Sequence, residues 1–446
     1  MSETEKKKRI RTIVARHAKE ACRVSDAIAD YAELGLQEVQ SSRALADFLR
    51  QRGFDIAFPW RHMPTAFRAV RGRGKPSIGL LAEYDALPDC GLKPGEPGHG
   101  CGHNLLGAAS ALAAVAAAEA LAARKLPGRI VLWGCPAEEL LDGKVYMARD
   151  GAFRNHDAIL AWHPETGNRV RHVGGAAMDS VTYEFFGKTA HGAYAHGGRS
   201  ALDGVMLMDV AANYLREHVP DNVRIHMCVP YGGDAPNVVP GYACGWYFVR
   251  GRDRAQVDAI RKRLDACARG AALATETRVT VTRLTGVYSR LPNEAISRAL
   301  LDNFKLFGAP RVSEADRRRV RALGGVANFD AKLQTELKET PGYASSDEAN
   351  LSWLAPMSVI GVACKSRDAV GHHRDTTAQG TLPFAHRGLC RAAEVLAATA
   401  LDLCRDAGLR RRAMNEFRRA TRGFVYDPLV AKRQKIPGAQ PERRVQ

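Results

Sequence analysis

Through the first half of the chain, apolar runs of strand length alternate with longer stretches of helical period, the pattern that builds a mostly parallel sheet flanked by helices. Residues 77–84, 129–134 and 157–162 predict strands, and residues 22–34, 42–52 and the Ala-rich 103–123 predict helices. Gly107 is the only helix-weakening residue inside the last of these. Near Ser180 the rhythm changes to strand (180–187), helix (199–217), strand (222–229), strand (242–250), helix (254–272) and strand (276–285). That βαββαβ order closes a sheet of its own and reads as an inserted domain. Helical period returns over 294–307 and 382–403, with a short apolar strand at 357–362 between them, so the first domain resumes. The expected fold is α/β: a helix-flanked, mostly parallel sheet in two parts (1–178 and 289–408), an insert (179–288) and a basic C-terminal tail (409–446).

Composition changes this picture little. The 446 residues suit two domains of ordinary size, and 46% apolar residues suffice for two interiors. The opening MSETEKKKRI is charged from its third residue, so neither a secretory signal nor a transit peptide is expected. The longest apolar stretch, Leu105–Ala118, is followed by Glu119 and is shorter than the roughly 20 residues a bilayer demands, so it reads as a core helix and no membrane partner is expected. Ten cysteines without a CxxC pair argue against a zinc ribbon or a disulfide framework and fit a reducing cytoplasm. The net charge of +17 raises the question of nucleic acid, but about half the excess sits beyond residue 404, where twelve Lys or Arg face four acids. With no RNA-recognition, zinc-finger or basic-zipper pattern, nucleic acid is not the expected partner; an acidic small molecule is.

The chemistry concentrates where predicted strands end, the place at which ligands gather in such sheets. The loop after the first strand, GEPGHGCGH, holds Cys101 and His103 beside four glycines and opens directly into the Ala-rich helix; His99 in the same loop reads as a supporting or solvated residue. Glu138 and Glu139 follow the apolar strand VLWGCPA, and consecutive residues there point different ways, so one can bind metal while the other faces substrate. His163 ends the next strand in AWHPE, and Gly371, His372 and His373 can add one long-range ligand. Asp85, in AEYDALP, suits a carboxylate that orients a ligating histidine. Thiolate, imidazole and carboxylate together imply water activated by a divalent ion, with Glu138 as the base, and the thiolate favours manganese, zinc or cobalt over magnesium or calcium. Arg290 could clasp a substrate carboxylate through both guanidinium nitrogens.

The strings GHGCGHNLLG, CPAEE, AWHP, GKTAHGAYAHGGRSALD and GGDAPNVVP occur in an order that resembles the metallopeptidase and amidohydrolase family of carboxypeptidase G, aminoacylases and auxin-conjugate hydrolases, and within it the aminobenzoyl-glutamate hydrolase branch. The likeness runs from about residue 20 to 405. It implies a two-metal catalytic domain and an insert that serves as lid and homodimer interface; from the donors themselves the expected cofactor is manganese or zinc, one or two ions per subunit. It assigns Cys101, His103, Glu139, His163 and His372 as metal ligands and Glu138 as general base. It makes His226 a residue that reaches the neighbouring subunit's site to polarise the scissile carbonyl, and Asn237 a residue that holds substrate near its carboxylate. His191 and His196, in the GKTAHGAYAHGG turn, read as structural. The chain departs from this branch where a serine commonly follows the last histidine: here His373, Arg374 and Asp375 follow, placing His373 near substrate. Three functions are compatible: an amidohydrolase acting on a conjugate such as p-aminobenzoyl-glutamate, a hydrolytic deaminase of an aminoaromatic acid resembling 5-nitroanthranilate aminohydrolase, and a non-catalytic binding subunit.

Overall fold

A computed structural model describes residues 2–338 and 342–436. From the N-terminus run α1 (Glu3–Tyr31), α2 (Val39–Arg50), β1 (Asp55–Ala57), β2 (Phe67–Arg73), β3 (Ser77–Ala82), α3 (His103–Ala122), β4 (Gly128–Gly134), α4 (Gly143–Arg149), β5 (Ala158–Glu165) and β6 (Arg169–Val170). Next come β7 (Ala177–Phe186), α5 (Ala201–Arg216), β8 (Arg224–Tyr231), β9 (Tyr242–Gly251), α6 (Arg254–Ala274) and β10 (Arg278–Val287). The chain closes with α7 (Glu294–Phe307), α8 (Glu314–Ala322), β11 (Met357–Ala363), α9 (Arg374–Gln379), α10 (Pro383–Arg405) and α11 (Ala407–Ala420). Two compact units result, residues 2–173, 291–338 and 351–426 in the first and residues 174–290, 342–350 and 427–436 in the second.

The first unit is built on a seven-stranded sheet in the order β1-β2-β4-β3-β5-β11-β6. Its middle strands β4, β3, β5 and β11 are parallel, and β1, β2 and β6 pair antiparallel toward the edges. β3 and β11 are buried at every position, which is why they read as unbroken apolar runs. α3 is long and apolar enough to cross a membrane, yet it lies inside this unit, buried almost all round among α1, α10 and the sheet. Gly107 lets it approach: a Cβ built there would stand 2.7 Å from the Glu83 carbonyl oxygen and 2.9 Å from Leu45 Cδ1. That close packing brings the start of α3 to the end of β3.

Two elements differ from expectation. The helix expected over 22–34 is the last part of α1, which begins at Glu3; its upstream stripe of Ile10, Ile13, Val14 and Ala21 is buried but sparse among charged neighbours, and charge masked it. The basic segment expected as a tail contains α11, whose Leu409 and Ala413 are buried. Asn293 Nδ2 donates to the Ala413 carbonyl at 2.8 Å, and Phe424 packs on Trp353 with 4.4 Å between centroids. Residues 437–446 of that expected tail lie outside the described residues.

The second unit is a four-stranded antiparallel sheet, β10-β7-β9-β8, with the apolar faces of α5 and α6 packed on Val181, Tyr183, Phe185, Tyr247 and Val249. Its order is βαββαβ. β8 forms one edge, and Gln434 Nε2 donates to the carbonyls of Arg283 and Leu284 in β10, both at 3.0 Å.

Candidate metal centre

The end of β3 delivers Glu83 and Asp85, and the start of α3 delivers Cys101 and His103. Gly102 precedes the helix at φ 83°, a left-handed value, and a Cβ there would stand 2.8 Å from Pro164 Cγ, so only glycine turns the chain this close to β5. His103 Nδ1 donates to Asp85 Oδ1 at 2.8 Å, both side chains wholly buried, which leaves Nε2 facing inward. Nε2 lies 3.7 Å from Glu83 Oε2, 3.8 Å from Glu138 Oε2 and 3.8 Å from Glu139 Oε1, and it has no hydrogen-bond partner. Glu139 Oε1 is likewise buried without one. Such separations are too long for hydrogen bonds. They suit donors roughly 2 Å from a shared cation.

Asp85 also accepts from the Glu139 backbone N–H at 2.9 Å, tying the ends of β3 and β4 together. His163 Nδ1 donates to the Pro164 carbonyl at 2.9 Å, which turns Nε2 to within 3.3 Å of Cys101 Sγ. From the far end of the chain, the His372 backbone N–H donates to Gly100 O at 2.9 Å, and its Nε2 stands 3.5 Å from Glu139 Oε2. Donor atoms thus converge within 4.8 Å in three overlapping sets: Cys101, His103 and His163; Cys101, Glu139 and His372; Glu83, His103 and Glu138.

Four carboxylates and a thiol crowd this cluster, and Lys144, wholly buried, reaches Glu83 Oε1 at 2.8 Å. Burial, with Glu83 and Glu139 adding repulsion, pushes Glu138 up to about 8. Burial likewise raises Glu139 to about 7 against the pull of His103, and burial with Glu139 raises Cys101 to about 12. Burial, Arg171 and His103 hold His163 well below the usual imidazole range, so it is neutral and able to donate a lone pair. His103 goes the other way: burial opposes its charge, but Cys101 and Asp85 lift it well above that range. Without a cation the cluster retains protons on its donors, the state a divalent ion would displace.

Sequence reasoning missed three residues here. Glu83 directly follows the fully buried strand β3, a position where a carboxylate signals pairing or ligation. Glu38 has no local signal. Buried, it accepts from the Ala137 N–H at 2.7 Å and Thr65 Oγ1 at 2.9 Å, and so holds the turn in which Ala137 takes φ 55° just before Glu138. Lys144 is the third.

The remaining expected residues lie outside these sets. His99 is a buried core residue, not solvated; its Nε2 contacts the Ile28 carbonyl at 3.0 Å. Arg290 is buried in the second unit with its guanidinium held by Glu348, so it has a protein carboxylate where a substrate was expected. His373 caps α9, Nδ1 accepting from the Asp375 N–H at 3.3 Å, and is outside the converging sets. His226 is exposed on the edge strand β8, its pKa lowered by partial burial and by Arg250, Arg216 and Arg224. Asn237 is exposed, and its carbonyl accepts from the Gly192 N–H at 2.7 Å. His191 caps the same turn, Nδ1 accepting from the Ala193 N–H at 3.0 Å.

Imidazole and thiol donors gathered beside buried carboxylates, beyond the carboxyl ends of parallel strands, are the equipment of a metallohydrolase. The chain belongs to peptidase family M20/M25/M40, whose description matches residues 79–351. It is 33% identical to one of the subunits of p-aminobenzoyl-glutamate hydrolase from Escherichia coli (strain K12), over 89% of this chain and 92% of that protein. To Xaa-Arg dipeptidase of Mus musculus it is 31% identical over 80% of this chain and 78% of the relative. The crystal structure of Bacillus subtilis YXEP protein, described as a dinuclear metal-binding peptidase of the M20 family, shares the fold at TM-score 0.56 and 17% identity, covering 88% of this chain and 99% of that one. The protein is a hydrolase of amide or peptide carbon–nitrogen bonds.

Proposed function

We propose that the protein hydrolyses an amide joining an aromatic acyl or amino-acid group to a carboxylate-bearing amine, with p-aminobenzoyl-glutamate as the reference substrate. Cys101, His103, Glu139, His163 and His372 would hold manganese or zinc, one or two ions per subunit. The observation that carries this reading is that His103 Nε2 and Glu139 Oε1, buried and without hydrogen-bond partners, lie 3.8 Å apart in two donor sets that share Cys101, one completed by His163 and the other by His372.

When bound, the ion supplies a Lewis acid that polarises the scissile carbonyl and acidifies water. Glu138 then takes a proton from the attacking water and returns it to the leaving amine nitrogen, a task suited to a buried carboxylate whose pKa is raised toward neutrality. Asp85 keeps His103 in one tautomer, and Glu38 holds the turn that aims Glu138. His226, from a neighbouring subunit, polarises the carbonyl, and Asn237 holds the substrate near its carboxylate.

A homodimer through the second unit is part of this proposal. The exposed edge of β8 and the exposed apolar stripe Met206, Leu207, Val210 and Tyr214 on α5 support it. Ten free cysteines support a reducing, cytoplasmic setting. A deaminase of aminoaromatic acids is the less favoured reading, because Arg290 is engaged by Glu348 and His373 caps α9, which gives both residues protein partners.

Incubating the metal-loaded protein with p-aminobenzoyl-glutamate, Xaa-Arg dipeptides and aminobenzoates, then assaying glutamate, arginine and ammonia, tests the reading. Free glutamate from the first is expected. Arginine as the dominant product would move the substrate class, ammonia from aminobenzoates would establish the deaminase, and no product from any would favour the non-catalytic reading.

A further inference from the structure

Alternation along β2 and β4 sends side chains to both faces of the first unit's sheet. Phe67, Ala69, Ile130 and Leu132 enter the helix-covered core, so Arg68, Arg129 and Trp133 project from the opposite face. There a cavity of about 430 Å³ opens, within the size range of small-ligand sites. Trp60 and Trp133, nearly buried and packed edge to face at 5.4 Å, form its inner wall. Four guanidinium groups line it: Arg61, Arg68, Arg129 and Arg154.

These arginines are positioned rather than loose. Arg61 lies over the Trp60 ring at 5.3 Å and Arg68 over the Trp133 ring at 6.0 Å, which restricts both side chains. Arg129 Nε donates to Ser77 Oγ at 3.0 Å; Ser77 Oγ contacts His156 Nδ1 at 3.1 Å, and His156 Nε2 accepts from Trp133 Nε1 at 2.9 Å. The turns presenting the others carry left-handed residues, Arg61 (φ 52°), Phe153 (φ 63°) and Asn155 (φ 66°), and such conformations cluster at binding sites.

No carboxylate among the described residues pairs with any of the four. Asp157, the acid in the adjoining turn, is engaged by Lys75 Nζ at 3.1 Å and the Ser77 N–H at 2.7 Å. Elsewhere the chain neutralises grouped arginines: Arg254 and Arg261 share Asp179, and Arg169 and Arg171 share Glu165. Four unmatched like charges around one cavity repel each other and attract an anion of matching charge. A monocarboxylate answers one of them, whereas two phosphate groups bring about three negative charges.

We propose that this Trp-backed arginine cavity is a second binding site, for a small anion carrying two or more phosphate groups. It shares no residue with the metal cluster. Titration calorimetry of the metal-loaded full chain with pyrophosphate, ADP, inorganic phosphate and a single-stranded RNA oligonucleotide tests it. Saturable one-to-one binding of pyrophosphate is expected, at least tenfold tighter than phosphate. ADP binding as well as pyrophosphate identifies a nucleotide carrier, and ADP binding far more weakly identifies the free anion. Arg61→Ala combined with Arg154→Ala, both exposed positions, weakens pyrophosphate at least tenfold and leaves metal content unchanged. Independently of any variant, hydrogen exchange in the wild type slows over 58–63 and 150–156 when pyrophosphate is added. The proposal is overturned by no binding, by equal affinity in the double variant, by protection confined to the metal-ligand segments, or by binding of the oligonucleotide alone.

Discussion

Single side chains at strand ends form the converging cluster, and several are held by partners distant in sequence. Asp85 is the clearest case, because one carboxylate fixes both the His103 tautomer and the Glu139 backbone. Asp85→Ala should therefore lower metal affinity about 10–100-fold in competition with a chelator, the usual effect of removing a ligand's support; unchanged affinity would show that the imidazole needs no orienting group. His156 makes a separate, pH-dependent prediction. Burial first, then Arg129 and Lys75, lower its pKa to about 4. The folded protein thus keeps it neutral while the unfolded chain protonates it below the ordinary value near 6.5. Its contribution is complete above that pH and is lost as pH falls toward 4, up to about 3 kcal/mol. His156→Gln should flatten stability across that window in denaturant titrations, and an unaltered slope would refute the assignment. Cys101, His103, Glu138, Glu139 and His163 were legible because each follows an apolar run or a glycine loop. Glu38 was not, since its partner Ala137 is 99 residues away; nor does local pattern reveal that Arg290 has a protein carboxylate, because Glu348 is 58 residues on.

Periodicity located elements well where apolar residues are dense. β4, α3, α7 and β11 fall within a residue or so of their predicted limits, whereas the first two-thirds of α1 was masked by its charged face. Gly107 shows the other weakness of local reasoning: propensity treats it as a flaw in α3, while packing makes it a requirement at the β3 end. Gly107→Ala should raise helix propensity by about 1 kcal/mol yet lower stability overall by roughly 1–3 kcal/mol, because the backbone carbonyl of Glu83 cannot yield as a side chain can. Thermal unfolding at a higher temperature than wild type would contradict this. Weaker metal retention should accompany the loss, since the same contact sets His103 against Asp85.

The two-unit division followed from the change of rhythm near Ser180, but residues 342–350 and 427–436, which join the second unit from distant parts of the chain, had no signature in composition. If the second unit dimerises and lends His226 to a neighbour, defects in different sites should complement. Mixing unfolded His226→Ala and Glu138→Gln chains and refolding them together should restore about a quarter of wild-type turnover, because half of the dimers hold one intact composite site. No recovery, with dimers verified by sedimentation, would place His226 outside the neighbour's chemistry; absence of homodimers would point to a second kind of chain.

On the proposed function, Cys101, His103, Glu139, His163 and His372 bind metal while Glu138 beside them moves the proton. Elemental analysis and p-aminobenzoyl-glutamate turnover, measured side by side on wild type, Glu138→Gln and Glu139→Gln, test it most directly. Glu138→Gln is expected to keep its metal and lose turnover by at least a hundredfold, while Glu139→Gln loses metal and turnover together. Equal metal loss in the two variants, or a Glu138→Gln protein that still turns over, would contradict it.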